Sequence, residues 1–328
     1  VSLTLWPVTG VGEVRPGDDL VSLLLERLDE PLRDGDVVVV TSKVVSKALG
    51  LSATTDRDAV VDAETVRLVA RRGPTRIVRN RAGLTMAAAG VDASNTASGT
   101  VLWLPADPDA AAHDLWRRLR RRAGVEVAVV LSDTAGRAWR RGQTDLAIGS
   151  AGLKVVDSLS GTQDTFGNAL HVTEPAVADE ITGAAELVAG KTSQAPFVIV
   201  RGLPRHWVGD HWAHPQHGAA SLLRPDDEDL FGLGARDAVE VALGSAAPAG
   251  FPAPEPDAYD RVLALAAPEE ALVEVTVTER SRFVVAVKDD SSGALLEAGR
   301  VCERLRIAAR AHRVDVQIDV RTADGPGR

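Results

Sequence analysis

The sequence predicts an α+β fold, and three observations carry that expectation. Helical and strand-like segments interleave along the chain, but the connections between them are longer and less regular than a doubly wound sheet tolerates. The β-branched run at 37–40 reads as a strand buried on both faces. With 328 residues, 45% of them hydrophobic, there is ample material for a core.

Each element has its own signal. Residues 19–28 carry apolar side chains at helical spacing behind the capping entry Pro16-Gly17-Asp18. Asp34-Gly35-Asp36 is a turn before the strand at 37–40. Residues 64–71 read as helix and 76–78 as a short strand. A helix at 110–122 ends in a crowd of arginines, favourable against the negative end of the helix dipole. An apolar strand follows at 125–131, then a helix at 176–189 and a strand at 197–200. The stretch SAAPAGFPAPEP at 245–256 reads as a stiff linker, because proline neither continues a helix nor donates to a ladder. It divides a large domain, 1–244, from a small one, 257–328, with the order helix 258–265, strand 272–277, strand 283–287, helix 295–312 and strand 314–320. No repeat at solenoid period is present.

Charge and composition exclude several classes. There are 37 Lys and Arg against 46 Asp and Glu, a net charge of −9, which argues against nucleic acid as the main partner. A single cysteine, Cys302, excludes a disulfide framework and any cysteine-based zinc site. No apolar run approaches the roughly 18 residues of a membrane span, and no secretory leader is visible at the N-terminus, so a cytoplasmic protein without membrane contact is expected.

Chemistry is sought at strand ends, where a rigid ladder aims the next side chains. After 37–40 comes Thr41-Ser42-Lys43-Val44-Val45-Ser46-Lys47, hydroxyls and lysines suited to phosphate or carboxylate, although a solvated strand end accounts for the segment by itself. After 125–131 comes the loop SDTAGRAWRRGQTD at 132–145. Asp133 and Thr134 offer hard oxygen ligands for Mg²⁺ or Mn²⁺, and Arg137, Arg140 and Arg141 offer forks for phosphate. Trp139 offers a flat ring for stacking, though packing is the commoner use of a tryptophan. So many chemical groups in one short segment favour function there. Asp92 and Asn95, in GVDASN, taken alone are turn formers. His206, His211, His214 and His217 follow no standard zinc spacing and read as an exposed loop. Neither GxxxxGK[ST] nor GxGxxG is present, so phosphates would need a divalent ion with Lys and Arg; GxSxG is absent too.

In their order, these segments resemble a known family. They are PVTGVGEVRPGDD at 7–19, DGDVVVVTSKVVSK at 34–47, AAAGVDASN at 87–95, SDTAGRAWRRGQTD at 132–145, AIGSAGL at 147–153, VTEPAVADEI at 172–181 and GKTSQAPFVIVRG at 190–202. The chain is similar, over about residues 3–240, to the coenzyme F420-0:L-glutamate ligases, including the ligase half of the two-domain actinobacterial enzymes. The resemblance implies the α+β fold of that family, with a small C-terminal α/β appendage, and a homodimer. It implies GTP-dependent addition of L-glutamate to a deazaflavin coenzyme precursor, further γ-linked glutamates, Mg²⁺ or Mn²⁺ as two ions, and K⁺. By position, Val11, Gly12, Glu13, Val14, Ser42, Lys47 and Asn95 match nucleotide contacts. Asp92 and Asp133 match ligands of one metal and Thr134 a ligand of the other, which promotes Asp92 from turn to site. Lys47, Arg137 and Arg140 are assigned to offset phosphate charge.

Two departures are visible. Residues 203–217, rich in Trp and His, replace a loop that helps bind nucleotide in the family, and the match resumes at Leu222-Leu223-Arg224-Pro225 and Asp229-Leu230-Phe231. Residues 245–328 are too few for the flavin-binding domain of the two-domain relatives, so no reductase activity is assigned. The rival readings are another divalent-metal phosphoryl-transfer enzyme, and a non-enzymatic metal- or partner-binding module.

Overall fold

A computed structural model describes residues 2–94, 96–190, 193–248, 250–279, 281–322 and 325–326. The first unit runs to Leu68 and continues through Arg72–Leu223; the second comprises Val69–Arg71 and the chain from Arg224 onward. In order, the first carries β1 (Thr4–Val8), α1 (Leu20–Leu25), β2 (Val37–Thr41), α2 (Ser42–Ala48), β3 (Ser52–Thr54), α3 (Arg57–Glu64) and β4 (Thr65–Arg72, whose residues 69–71 group with the second unit). Then come β5 (Thr75–Asn80), β6 (Thr85–Ala87), β7 (Thr100–Leu102), α4 (Pro108–Ala123), β8 (Ala128–Gly136), β9 (Gln143–Ala151), α5 (Val177–Ala189) and β10 (Phe197–Arg201).

Its centre is a five-stranded sheet in the order β1-β10-β2-β8-β9, antiparallel except for the parallel pair β2 and β8. The valine run of β2 is explained by burial on both faces, the pattern expected of a covered central strand. Val38 and Val40 pack with Leu115, Trp116 and Leu119 of α4 in one core cluster, while Val37 and Val39 pack with Val177, Ala178 and Ile181 of α5 in the other. Helix α4 is capped at both ends: the Asp107 carboxylate accepts from the Ala110 amide at 2.9 Å, Pro108 stands in the first turn, and Gly124 closes it at φ 71°. The contact between β9 and α4 is so close that a Cβ on Gly149 would overlap the Pro108 carbonyl oxygen. Gly149→Ala is therefore expected to cost about 2–3 kcal/mol, read as a lower urea midpoint.

Several expectations need correction. The helix expected at 64–71 lies earlier, as α3, with the Asp56 carboxylate accepting from the Ala59 amide at 3.2 Å; residues 65–72 are strand β4, as the β-branched Thr65 and Val66 favour. Ser42–Ala48, read from sequence only as the segment beyond a strand end, is helix α2. The strand expected at 125–131 is β8, 128–136, so Asp133 and Thr134 lie inside a strand and the loop shrinks to 137–142. Polar residues survive in that strand because their partners sit across the ladder, with Thr134 directly opposite Asp145.

The second unit contains α6 (Ala235–Ala242), α7 (Ala258–Leu265), β11 (Val273–Glu279), β12 (Arg282–Val287), α8 (Ser292–Ala311), β13 (Gln317–Thr322) and β14 (Gly325–Pro326). From α7 to β13 the order helix–strand–strand–helix–strand matches the one read from sequence, with β12 and β13 parallel across α8. Phe283, Val285, Val301 and Leu305 form its core beside the buried Cys302. The division expected at 244 falls instead after Leu223, because α6 packs on α8. Nor is 245–256 a free-standing spacer: the Ala253 amide donates to the Asp227 carbonyl at 2.9 Å, and Arg313 donates to the Phe251 carbonyl at 3.2 Å. No described helix is long and apolar enough to cross a membrane.

Candidate functional site

Parallel pairing of β2 with β8 sets Thr41 beside Ser132, so the residues that follow emerge at the same end of the sheet. There the Ser42 hydroxyl donates to Asp133 Oδ1 at 2.8 Å. Burial pushes the Asp133 carboxyl up to about 6; the Ser42 hydrogen bond opposes that rise, and the negative charges of Asp145 and Asp92 add to it. Asp145 faces Asp133's strand neighbours, accepting from Ser132 Oγ at 2.9 Å and from Thr134 Oγ1 at 2.7 Å.

Asp92 arrives from a different direction. Its backbone pairs both ways with Leu102, amide to carbonyl at 3.0 and 2.8 Å, and its carboxylate accepts from the Ser94 amide at 2.7 Å. Lys43 Nζ lies 2.7 Å from Asp92 Oδ2 and 2.5 Å from Ser94 Oγ. Burial opposes ionisation of Asp92, but Lys43 and Ser94 outweigh it and hold its pKa below the ordinary carboxylate value. Before it, Ala88, Ala89 and Gly90 turn left-handed in succession, at φ 50°, 56° and 77°. Two alanines there carry strain of about 1–2 kcal/mol each. The buried Asn80 holds the turn, donating from Nδ2 to the Ala89 carbonyl at 3.2 Å and accepting from the Leu84 amide at 3.0 Å. Asn80→Ala is expected to lower stability by about 2 kcal/mol through the orphaned backbone groups, while Ala88→Gly raises it by up to about 1 kcal/mol. Thermal melts of both variants check the two signs.

The loop 11–14 alternates inward and outward. Val11 and Val14 are buried, whereas Gly12, at φ 78°, and Glu13 face out. Glu13 Oε1 meets Lys47 Nζ of α2 at 2.7 Å. Thus Val11–Val14 and Lys47 come together, as do Ser42 and Asp133 with the charge of Asp92, while the hydroxyl of Thr134, the next strand residue, bonds Asp145. Asn95 lies outside the described residues. Arg137 and Arg140, with Arg141, are exposed in the turn 137–142, and Trp139 between them is exposed as well. Asp145 and Lys43 belong to the cluster; the sequence places both in candidate segments without giving either a role of its own, and the role of Asp145 follows from its place opposite Thr134 in a hairpin read as a loop.

The His-rich stretch forms successive short 3₁₀ turns, with the His211 and His217 rings against Trp212 at centroid distances of 4.8 and 5.2 Å. Asp109 ties its end to α4 and β9, accepting from the Ser150, Ala219 and Ala220 amides at 2.7, 2.7 and 2.9 Å. Among the described residues, no three His, Cys, Asp or Glu side chains are grouped to hold a metal by themselves. The donor set at Asp92, Asp133 and Thr134 nonetheless suits Mg²⁺ or Mn²⁺. Such ions take one or two carboxylates and complete their shell with water and phosphate oxygens. Burial chiefly, with the lesser negative charges of Asp145 and Asp92, raises the Asp133 carboxyl, and a dication beside it would favour the ionised form.

Carboxylates, hydroxyls and lysines gathered at the ends of parallel strands in an α+β domain define a site of the kind used by ligases and phosphoryl-transfer enzymes. The comparisons narrow that class. The signature of the F420-0:gamma-glutamyl ligases matches residues 10–202, and the chain belongs to that family. It is 37% identical over 251 residues to the coenzyme F420:L-glutamate ligase of Methanopyrus kandleri, an overlap covering 70% of this chain and 98% of that protein. Identity is 36% over 258 residues to the same-named enzyme of Methanothermobacter thermautotrophicus (70% of this chain, 99% of the relative). It is 34% over 243 residues to that of Methanosarcina acetivorans (68% and 92%).

Proposed function

We propose that the chain is a GTP-dependent ligase joining L-glutamate to the carboxylate of the deazaflavin precursor F420-0, with γ-linked addition of further glutamates, in coenzyme F420 biosynthesis. The observation that carries this reading is the meeting of Ser42 and Asp133, 91 residues apart and hydrogen-bonded at 2.8 Å, on a carboxyl that also feels the charge of Asp92. Family membership and the names of the curated relatives support the substrate assignment.

In this reading the Val11–Val14 loop, Ser42 and Lys47 receive the nucleotide, and Asn95 adds a contact. Two divalent ions seated by Asp92, Asp133 and Thr134 would neutralise phosphate charge. A carboxylate is a poor electrophile, so an amide requires prior activation. An oxygen of the acceptor carboxylate attacks the γ-phosphorus in line, GDP departs, and an acyl phosphate forms. The neutral amine of glutamate then attacks the acyl carbon, inorganic phosphate leaves and the amine gives up a proton. Lys47, Arg137 and Arg140 offset the charge on the phosphates. A homodimer goes with the same reading, and sedimentation of the purified chain tests it.

The deciding experiment is mass spectrometry of the product from enzyme, GTP, glutamate and acceptor with Mn²⁺ and K⁺, omitting each component in turn. Mass gains of one glutamate residue that require all three substrates are expected. GTP hydrolysis indifferent to glutamate and acceptor would instead indicate another phosphoryl-transfer enzyme.

A further inference from the structure

The hairpin that carries Asp133 and Thr134 ends in a tip with an unusual residue. Trp139 is 87% exposed and its backbone stands at φ 64°, in the left-handed region. Both features run against stability. A large ring so exposed gains little from burial, and a bulky residue at positive φ is strained where glycine would not be. Such strain persists at sites where a side chain has to be presented. The company is equally specific. The turn Arg137-Ala138-Trp139-Arg140-Arg141-Gly142 contains three exposed arginines and no acid, in a chain whose net charge is −9. Its root at Gly136 lies two strand residues beyond Thr134, roughly 7 Å at ~3.3 Å per residue. The tip is therefore rooted within the length of one substrate molecule from the Asp133–Ser42 cluster.

A flat indole flanked by guanidinium forks is the chemistry that receives a planar heteroaromatic ring bearing phosphate: the ring stacks and the forks take the anionic oxygens. We propose that Trp139 is a stacking platform for such a ligand at the ligase site, with Arg137, Arg140 and Arg141 gripping its phosphate. This rests on the function proposed above. Two substrates of that reaction have the required chemistry, the guanine nucleotide and the phosphodeazaflavin acceptor, and the test separates them.

Three variants are compared with the parent: Trp139→Ala, Trp139→Phe and Trp139→Gly. Binding is read without turnover, by fluorescence anisotropy for the deazaflavin acceptor and by calorimetry for GDP. KM for each substrate and kcat are read in the complete reaction. Trp139→Ala is expected to weaken one of the two ligands roughly tenfold, in Kd and in KM alike, with kcat little changed. The ligand that moves is the one stacked. Trp139→Phe recovers most of the loss. Trp139→Gly binds as poorly as the alanine variant yet melts higher than the parent, because glycine relieves the backbone, an outcome that a purely structural tryptophan would not give.

Unchanged affinity for both ligands in the alanine variant overturns the proposal, and leaves the ligase reading standing if the parent still makes glutamylated product. A parent that makes no such product removes the ligase reading, while the two binding measurements still decide whether the indole stacks on a phosphate-bearing ring.

Discussion

Asp133→Asn should give a protein without ligase activity that is more heat-stable than its parent when both are freed of metal at pH 7.5. The activity loss is expected to be at least roughly a hundredfold, since removal of partners that merely orient metal ligands already costs 10- to 100-fold. The stability gain follows from the carboxyl's environment. Burial first, with Asp145 and Asp92 adding and Ser42 opposing, raises its pKa to about 6 from an ordinary 3.8. Below about pH 4 the group is protonated in both native and unfolded chains and contributes nothing. Between about 4 and 6 the unfolded chain releases the proton while the native state keeps it, so stability falls as pH rises. Above about 6 the whole cost is present, on the order of 3 kcal/mol. The asparagine variant lacks that pH dependence. Mn²⁺ is expected to raise the melting temperature of the parent and to do so much less for the variant, by mass action on the native state. Melts at pH 5 and 7.5, with and without Mn²⁺, together with glutamate-dependent GDP release, read all of this. Full GDP release by the variant would remove Asp133 from the site.

How much of this was legible in the sequence depends on which interactions decide each element. The strand at Val37–Thr41, the helix at Pro108–Ala123 and the α-β-β-α-β order from α7 to β13 follow from local signals: β-branched runs, an arginine-crowded last turn, and a polar hairpin turn. The hairpin of β8 and β9 did not follow, because Ser132, Asp133 and Thr134 look like loop residues until the opposite strand supplies Asp145 to two of their hydroxyls. Residues 64–71 misread for a similar reason. Their spacing is compatible with a helix, and the capping Asp56 that fixes the real helix lies eight positions earlier. Of the candidate residues, Asp133 with Thr134 and the segment holding Ser42 and Lys47 stand out from the residues themselves, whereas Asp92 enters only through the family resemblance. Lys43 and Asp145 lie in those two segments but receive no role from sequence, since a residue defined by the side chain it pairs with carries no motif of its own. The boundary after Leu223 was hidden because proline and glycine mark where a chain cannot be regular, not whether it packs; the described residues of 245–256 lie outside helix and strand, and Phe251 and Ala253 are still tied by hydrogen bonds.

Arg201→Met should be the most destabilising single change in the first unit, and it should leave the site alone. Asp36 is 1% exposed, and Arg201 grips it with two bonds, Nε to Oδ1 at 2.8 Å and Nη2 to Oδ2 at 2.7 Å. The same guanidinium donates to Glu30 at 3.0 Å and to the Pro31 carbonyl at 3.1 Å, and lies over the Trp6 ring at 4.9 Å. It thereby ties β1, β10 and the entry to β2 together. Removing it strands a buried carboxylate, which typically costs 3–5 kcal/mol, whereas the intact pair is worth much less against an apolar replacement because both charges were desolvated to make it. For a unit of this size the loss corresponds to a fall of about 10 °C in melting temperature. Asp36→Asn keeps an acceptor for the Arg33 amide, now at 2.8 Å from Asp36, while removing the charge. Added to Arg201→Met, it should restore more than half of the loss, a coupling on the order of 2 kcal/mol in a double-mutant cycle. Asp36 lies just before the start of β2 and Ser42 just after its end, about 20 Å apart along the strand at ~3.3 Å per residue. KM for nucleotide should therefore be unchanged wherever the variant is folded. A double mutant no more stable than Arg201→Met alone would mean that the cost lies in the lost Trp6 and Pro31 contacts and not in the stranded charge.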